Sequence, residues 1–254
     1  MGQAMREHYA RLADTYDDNW AYSDAYLDWM AGQIAASLEL GGSDRIADLG
    51  CGTGLYASRI AELVRPRVPV LCIDPSQAML DRIPPSPAGL TAIRASGEEL
   101  SQGRVALPYP ALDAMWIKEA VHHFADPATA LGGLAGLLAP GGRLLVAMLP
   151  ATIAYPLFPA ATARFEEQQP DPVDILAHLR DAGLDARLDY VEYELRIDRE
   201  RYLGMVRSHY MSLLSTFTHE ELEAGIEQIR VDHPESVLVF PDRFAFVLGR
   251  KPVA

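Results

Sequence analysis

Long apolar runs are missing from this sequence. No stretch of about 18 apolar residues free of charge occurs, which excludes a transmembrane helix. Met1 to Arg11 is polar and has no apolar signal core, so no secretory leader is expected. Cysteine is nearly absent. The two thiols, Cys51 and Cys72, fall inside predicted core elements, which excludes a disulfide scaffold and suits a reducing cytoplasm. An excess of positive charge is also missing. The formal net charge of −13 repels a phosphate backbone and argues against nucleic acid or an anionic membrane as partner. Internal repeats and low-complexity tracts are absent too. What remains is a chain of 254 residues, nearly half of them hydrophobic, enough for one α/β domain with insertions and a sizeable core. A small-molecule partner and a monomer or homodimer are expected.

The first half alternates short apolar runs with helical patterns, the mark of a parallel sheet. Residues 3 to 19 read as a polar N-terminal helix. Ser23 caps a second helix, with Tyr26, Leu27, Met30, Ile34 and Leu38 on one face. Strands are predicted at 45–49, 70–73, 91–95, 114–117 and 143–149. Helices are predicted at 55–64, ending before Pro66, at 76–82, and from the Asp126-Pro127 cap pair to Leu138. Pro84, Pro85 and Pro87 mark a loop, and Pro140-Gly141-Gly142 a turn. The second half is less regular. A helix is expected over 173–182, ended by Gly183, then a strand over 186–197 and a last strand over 244–249. Helical patterns at 199–214 and 220–229 separate those strands. Residues 150–170 and 198–240 do not fit the alternation and are expected to cap the active site.

The most informative segment is Asp48-Leu49-Gly50-Cys51-Gly52-Thr53-Gly54, which closes the first strand and opens a helix. Glycines permit a tight turn and close approach of backbone to ligand, and the helix start offers free N–H groups. Asp74 stands twenty-two positions after Gly52, at the end of the second strand, where a carboxylate can accept from both ribose hydroxyls of a nucleoside. A nicotinamide enzyme would need Gly-x-Gly-x-x-Gly, and Leu55 holds the third glycine's place. A strand-to-helix loop with no ligand is the plainer alternative, and the spacing of Asp74 counts against it.

Asp48 to Gly54 resembles the glycine-rich signature of class I S-adenosylmethionine-dependent methyltransferases. Cys72 to Leu80 is similar to their ribose-binding segment. Val121 to Pro127 and Leu138 to Leu144 resemble the small-molecule branch, which includes ubiquinone-type enzymes. The resemblance covers residues 5 to 150. It implies a Rossmann-like α/β fold: a seven-stranded, mostly parallel sheet, helices on both faces and a helical cap. It implies one domain over 1–254, with a lid over 1–40 and a cap over 198–240. It further implies that S-adenosylmethionine lies with its methionine part against Gly50, Gly52 and Gly54. Asp48 would fix the loop and the amino group, Asp74 the ribose, and Pro75 and Met79 would flank the adenine. Ser96 stands where relatives carry an acid for the adenine amino group, and Gly97 N–H can bond the ring. Tyr16, with Tyr9, matches aromatic positions of the relatives' N-terminal lid.

Methyl transfer from a sulfonium is downhill, so alignment and exclusion of water carry most of the acceleration. A base is needed only where the acceptor must lose a proton. Acceptor-facing residues should follow the fourth strand, in Lys118-Glu119-Ala120-Val121-His122-His123. His122 matches a variable, substrate-facing position of the family and suits acid–base work. His123 is the commoner family residue and serves either catalysis or packing. Lys118 either pairs with Glu119, binds an acidic group of the acceptor, or is a surface lysine. A helical turn would put Glu119, His122 and His123 on one face, similar to the Glu-x-x-Glu-His metal element of some relatives. The reading without a metal is preferred. Arg207, His209, Tyr210 and Arg243 read as a solvated face. The expected activity is methylation of a small metabolite, plausibly in secondary metabolism. The alternatives are a non-methylating use of the sulfonium, such as cyclisation, and a non-catalytic cofactor-binding partner subunit.

Overall fold

The computed structural model describes residues 23–85 and 89–253. The N-terminal helix expected at 3–19, and Tyr9 and Tyr16 with it, lie outside them. Helix α1 (Asp24–Ser37) starts at Ser23, whose hydroxyl accepts the N–H of Tyr26, and buries the predicted face. The first strands and helices are β1 (Ile46–Leu49), α2 (Leu55–Val64), β2 (Val70–Asp74) and the short α3 (Gln77–Leu80). Then come β3 (Leu90–Arg94), α4 (Gly97–Ser101), β4 (Leu112–Lys118), α5 (Pro127–Gly136) and β5 (Leu138–Met148). The second half runs α6 (Pro159–Gln168), α7 (Pro172–Asp181), β6 (Asp185–Asp198), α8 (Arg199–Arg207), α9 (His219–Asp232) and β7 (Val237–Arg250).

The seven strands form one sheet in the order β3-β2-β1-β4-β5-β7-β6. Pairings through β5 are parallel, and β7 is antiparallel to both β5 and β6. The central strands are buried on both faces, as a parallel sheet between helices requires. Cys72, Trp116 and Leu145 join one hydrophobic cluster with α1, α2 and the cap. Ile73, Ile117 and Val146 join another beneath α5 and α7. Strand order reverses between β1 and β4. In a doubly wound sheet the cleft beyond the carboxyl ends of such strands is where ligands bind.

Several expected boundaries move. Strand β5 begins at Leu138, not Arg143, because Pro140-Gly141-Gly142 forms a bulge inside the strand rather than a turn before it, with the register against β4 shifting there. Strand β7 begins at Val237, not Phe244, so residues 237–240 belong to the sheet and not to the cap. Its first half is paired on the β6 side, Asp198 facing Val237, and extends past the β5 pairing, which starts at Ala245. Pro241 interrupts the sequence pattern there but is tolerated, because the strand has only one paired side at that point. The helical pattern over 199–214 breaks at Arg207; His209 takes a left-handed φ of 56°, and a 3-10 turn follows at Ser212–Thr216. Residues 150–170, expected as a cap element outside the alternation, contain α6. Helix α4 was not expected; Ser96 and Glu99 close a capping box around its start.

Candidate functional site

Two adjoining cavities, of about 220 and 80 Å³, open at the reversal of strand order. Gly50, Gly52, Lys118, Glu119 and His123 line both, so these residues form the seam between them.

The smaller cavity is built by backbone. Gly50, Gly52 and Gly54 all adopt positive φ (76°, 55° and 76°) between β1 and α2. The N–H groups of Gly50 and Cys51 both donate to Ile73 O, tying the loop to β2. A Cβ on Gly50 would collide with the side chain of Ala120, so close packing as well as φ demands glycine there. The Asp74 carboxylate accepts the N–H of Gly52 at 3.0 Å and of Ser76 at 2.8 Å. Burial raises its pKa and those two N–H groups hold it back. Pro75, Met79, Ser96 and Gly97 complete the wall. The Ser96 hydroxyl is committed to the N–H of Glu99, so it serves as a helix cap. Glu98, not singled out from the sequence, also lines this cavity and accepts the N–H of Ala125.

The larger cavity is built by side chains from separate elements. Asp48 stands at its floor, buried, with its pKa pushed well up by burial and by Asp74 nearby, against the pull of Lys118. Tyr26 from α1 and Tyr56 from α2 form one wall. Phe165, Gln168 and Gln169 at α6, and Tyr210 to Leu213 beyond α8, form another. Residues within both segments expected to cap the site therefore line it. Cys51 lines the cavity, and its contact with Cys72 and its burial push its pKa well up, which favours the thiol over the thiolate. Both cysteines are free.

The segment after β4 departs from the expected helix. Glu119 takes a left-handed φ of 52°, and Val121–His123 form a 3-10 turn. The α-helical spacing that would set Glu119, His122 and His123 on one face does not apply. Glu119 instead accepts the N–H of Leu149 at 2.8 Å, and burial raises its pKa. Among the described residues no group of three His, Cys, Asp or Glu side chains converges as a metal site. The His122 and His123 rings pack edge to face with centroids 4.1 Å apart. Burial lowers the His122 pKa from 6.5 to about 4, so its imidazole is neutral at pH 7. Its Nδ1 is buried without a partner among the described residues. Lys118 does not pair with Glu119. Its Nζ lies over the rings of Tyr56 and Phe244, 4.9 and 4.7 Å from their centroids.

The residues read from the sequence as one solvated face do not share one, since Tyr210 is buried. Arg207 pairs with Glu223, and Arg243 lies over the Tyr190 ring on the outer strands. Only Tyr210 reaches the cavity, its hydroxyl 2.9 Å from that of Tyr202. The sequence reading missed Tyr56, Phe165, Gln168, Gln169 and Met211 to Leu213 as site residues. Their common signal is weak: large or polar side chains at the ends of elements.

Residues 47–144 match the family model of a methyltransferase domain. The 27-O-demethylrifamycin SV methyltransferase of Amycolatopsis mediterranei (strain S699) is 29% identical over 182 residues, covering 67% of this chain. The chain spans 64% of that relative's length, and 37–50% of the length of other curated relatives it matches. Among solved structures, a protein assigned as a methyltransferase of an antibiotic biosynthesis pathway in Anabaena variabilis ATCC 29413 shares the fold. Its TM-score is 0.67 at 17% identity, over 87% of this chain and 96% of that one. The [4+2]-cyclase SpnF shares it with a TM-score of 0.59 at 19% identity, over 89% of this chain and 81% of that one. The domain match and the glycine loop with its ribose acid agree: residues 47–144 are similar to a class I S-adenosylmethionine-dependent methyltransferase domain.

Proposed function

We propose that this protein transfers the methyl group of S-adenosylmethionine to a small-molecule acceptor of secondary metabolism. The observation that carries the reading is Asp74, clasped by the N–H groups of Gly52 and Ser76 at the mouth of the glycine loop. The residues present fit the cofactor. Each Asp74 oxygen accepts one backbone N–H and keeps a second lone pair for a ribose hydroxyl. The wall of Pro75 and Met79 offers an apolar slot for a purine, and Gly97 a backbone N–H at its edge.

Bound S-adenosylmethionine supplies an electrophilic methyl group on a sulfonium. Gly50, Gly52 and Gly54 let the backbone approach the methionine part, and Asp48 holds its amino group. Lys118, Glu119 and His123, at the seam of the two cavities, would stand between cofactor and acceptor. The cap segments exclude water there, and residues 199–236 set acceptor choice. His122 is neutral and orients the acceptor through its free Nδ1; His123 packs beneath it. The acidic surface argues against nucleic acid, and the free thiols suit a cytoplasmic setting.

Calorimetry with S-adenosylhomocysteine tests the assignment. Asp74→Ala should weaken binding by roughly 1.5–3 kcal/mol, the usual worth of hydrogen bonds to a charged group. Unchanged affinity would remove Asp74 from the site. The likeness to a cyclase favours a second reading, in which the cofactor is bound but the acceptor is not methylated. Release of S-adenosylhomocysteine with a methylated product distinguishes the first from the second.

A further inference from the structure

Lys118 stands at the seam of the two cavities without a counter-ion in contact among the described residues. Its Nζ stands against the Tyr56 and Phe244 rings and makes no ion pair among the described residues. The aromatic support is itself fastened. The Tyr56 hydroxyl meets that of Tyr26, and the Tyr26 and Tyr155 hydroxyls meet the fully buried Asp242 of β7. Three carboxyls share this field: Asp48 on β1, Glu119 after β4 and Asp242 on β7. Burial pushes each of them towards its neutral form, and Glu119 and Asp242 already accept from Leu149 N–H and Tyr155. None of them cancels the charge of Lys118 by contact. Cation–π contact supplies only about 0.5–2 kcal/mol, and the partly buried Lys118 lines both cavities. An arriving anion would supply the partner that the protein does not.

A second group points the same way. His122 lines the larger cavity, and its Nδ1 is buried with no partner among the described residues. Its neutral ring can carry a proton on Nδ1 and donate it. Around these two groups the cavity is lined by rings and apolar side chains, among them Tyr26, Phe165, Met211 and Leu213, which suits a flat acceptor.

We propose that Lys118 and the Nδ1–H of His122 form an oxyanion subsite, and that the acceptor is a phenol- or enol-class molecule bound through its ionised oxygen. This rests on the methyltransferase reading and names its substrate class. An aliphatic alcohol is too weak an acid for a neighbouring cation to ionise near neutrality; a phenol or enol is not. The acceptor's O–H bond breaks on binding and its proton passes to solvent. The electron pair left on oxygen forms the O–C bond as the sulfonium's S–C bond breaks, so no base takes a proton during transfer.

The probe is 4-nitrophenol, whose absorbance reports its ionisation, added to protein saturated with S-adenosylhomocysteine. In the unaltered protein the bound probe should ionise about one pH unit or more below the free probe, as a cation within 4–6 Å dictates. Lys118→Met should abolish the shift and weaken probe binding by about tenfold, the loss of one charge-assisted bond, with S-adenosylhomocysteine affinity kept. Lys118→Arg should retain both. The subsite is wrong if the probe binds in its neutral form, does not bind, or is indifferent to Lys118→Met. It is equally wrong if Lys118→Met weakens S-adenosylhomocysteine instead, which would make the anion the cofactor's own carboxylate. Tighter binding of benzoate with no binding of 4-nitrophenol would overturn the phenol class. Failure of the unaltered protein to bind S-adenosylhomocysteine would bring down the methyltransferase reading and this subsite together.

Discussion

The two cavities meet along one seam yet are made in opposite ways. The smaller is shaped by main chain: the left-handed Gly50 and Gly52, a carboxylate held by N–H groups and a capped helix start. The larger is shaped by side chains from α1, α2, α6 and the segment after α8. A backbone-built site needs particular residue types in consecutive positions. A side-chain-built site needs only that distant elements fold together. The first should therefore fail sharply on single substitutions, and the second should degrade by degrees.

The sharpest break is Gly50→Ala. A left-handed φ costs a side chain about 1–2 kcal/mol, and crowding Ala120 adds about 1–3 kcal/mol. Denaturant unfolding should show a loss of about 2–5 kcal/mol, with S-adenosylhomocysteine binding lost as well. A stable, binding-competent variant would mean that main chain does not dominate the smaller cavity.

On the other side of the seam, His122 should write a pH signature. Its pKa is held at about 4 in the fold against an ordinary 6.5. As pH falls below 6.5 the unfolded chain takes the proton first, so the folded state loses stability until about pH 4, and no further below it. The loss is at most about 3 kcal/mol. The raised carboxyls Asp48, Asp74, Glu119 and Asp242 act with the opposite sign, so the measurement is the difference between the unaltered protein and His122→Phe. The difference should grow over that window. A flat difference would place His122 in a wetter setting than the structure gives it.

Ser96→Ala sharpens the comparison at smaller scale. A cap lost from α4 costs about 1 kcal/mol of stability. If the hydroxyl serves α4 alone, S-adenosylhomocysteine affinity should hardly move; a tenfold loss would return Ser96 to the adenine. Smallest of all, Arg207→Ala should lower thermal stability only slightly and leave ligand binding unchanged, because its ion pair with Glu223 lies outside both cavities.

The same contrast explains what could be read in advance. Asp48 to Gly54 and Asp74 are fixed by local backbone demands, and such demands leave a local pattern in the sequence. The sheet was legible for a similar reason, since Val70 to Ile73 and Ala114 to Ile117 are continuous apolar runs flanked by turns. Tyr56 and Phe244 were not legible as a seat for Lys118, because they come together only when α2 and β7 close over β4. The reading of Glu119, His122 and His123 failed on one dihedral: the left-handed Glu119 turns the chain out of helical phase. Asp242 had a signal that went unused, a lone acid within the otherwise apolar Val237 to Phe246 run beside Pro241 and Arg243.

Strands β6 and β7 pair without interruption out to Asp198 and Val237, which face each other across the ladder. Residues 199–236 therefore leave and re-enter the sheet at adjacent points, and their two roots are held together by the strands and by Arg199, whose N–H donates to Ser236 O and whose guanidinium donates to His233 O and Pro234 O. Such a segment can be lengthened, exchanged or trimmed to a tight turn without altering the register of any strand below. The architecture separates two parts: a sheet whose strands and glycine loop depend on one another, and a segment over residues 199–236 that hangs from it at one place.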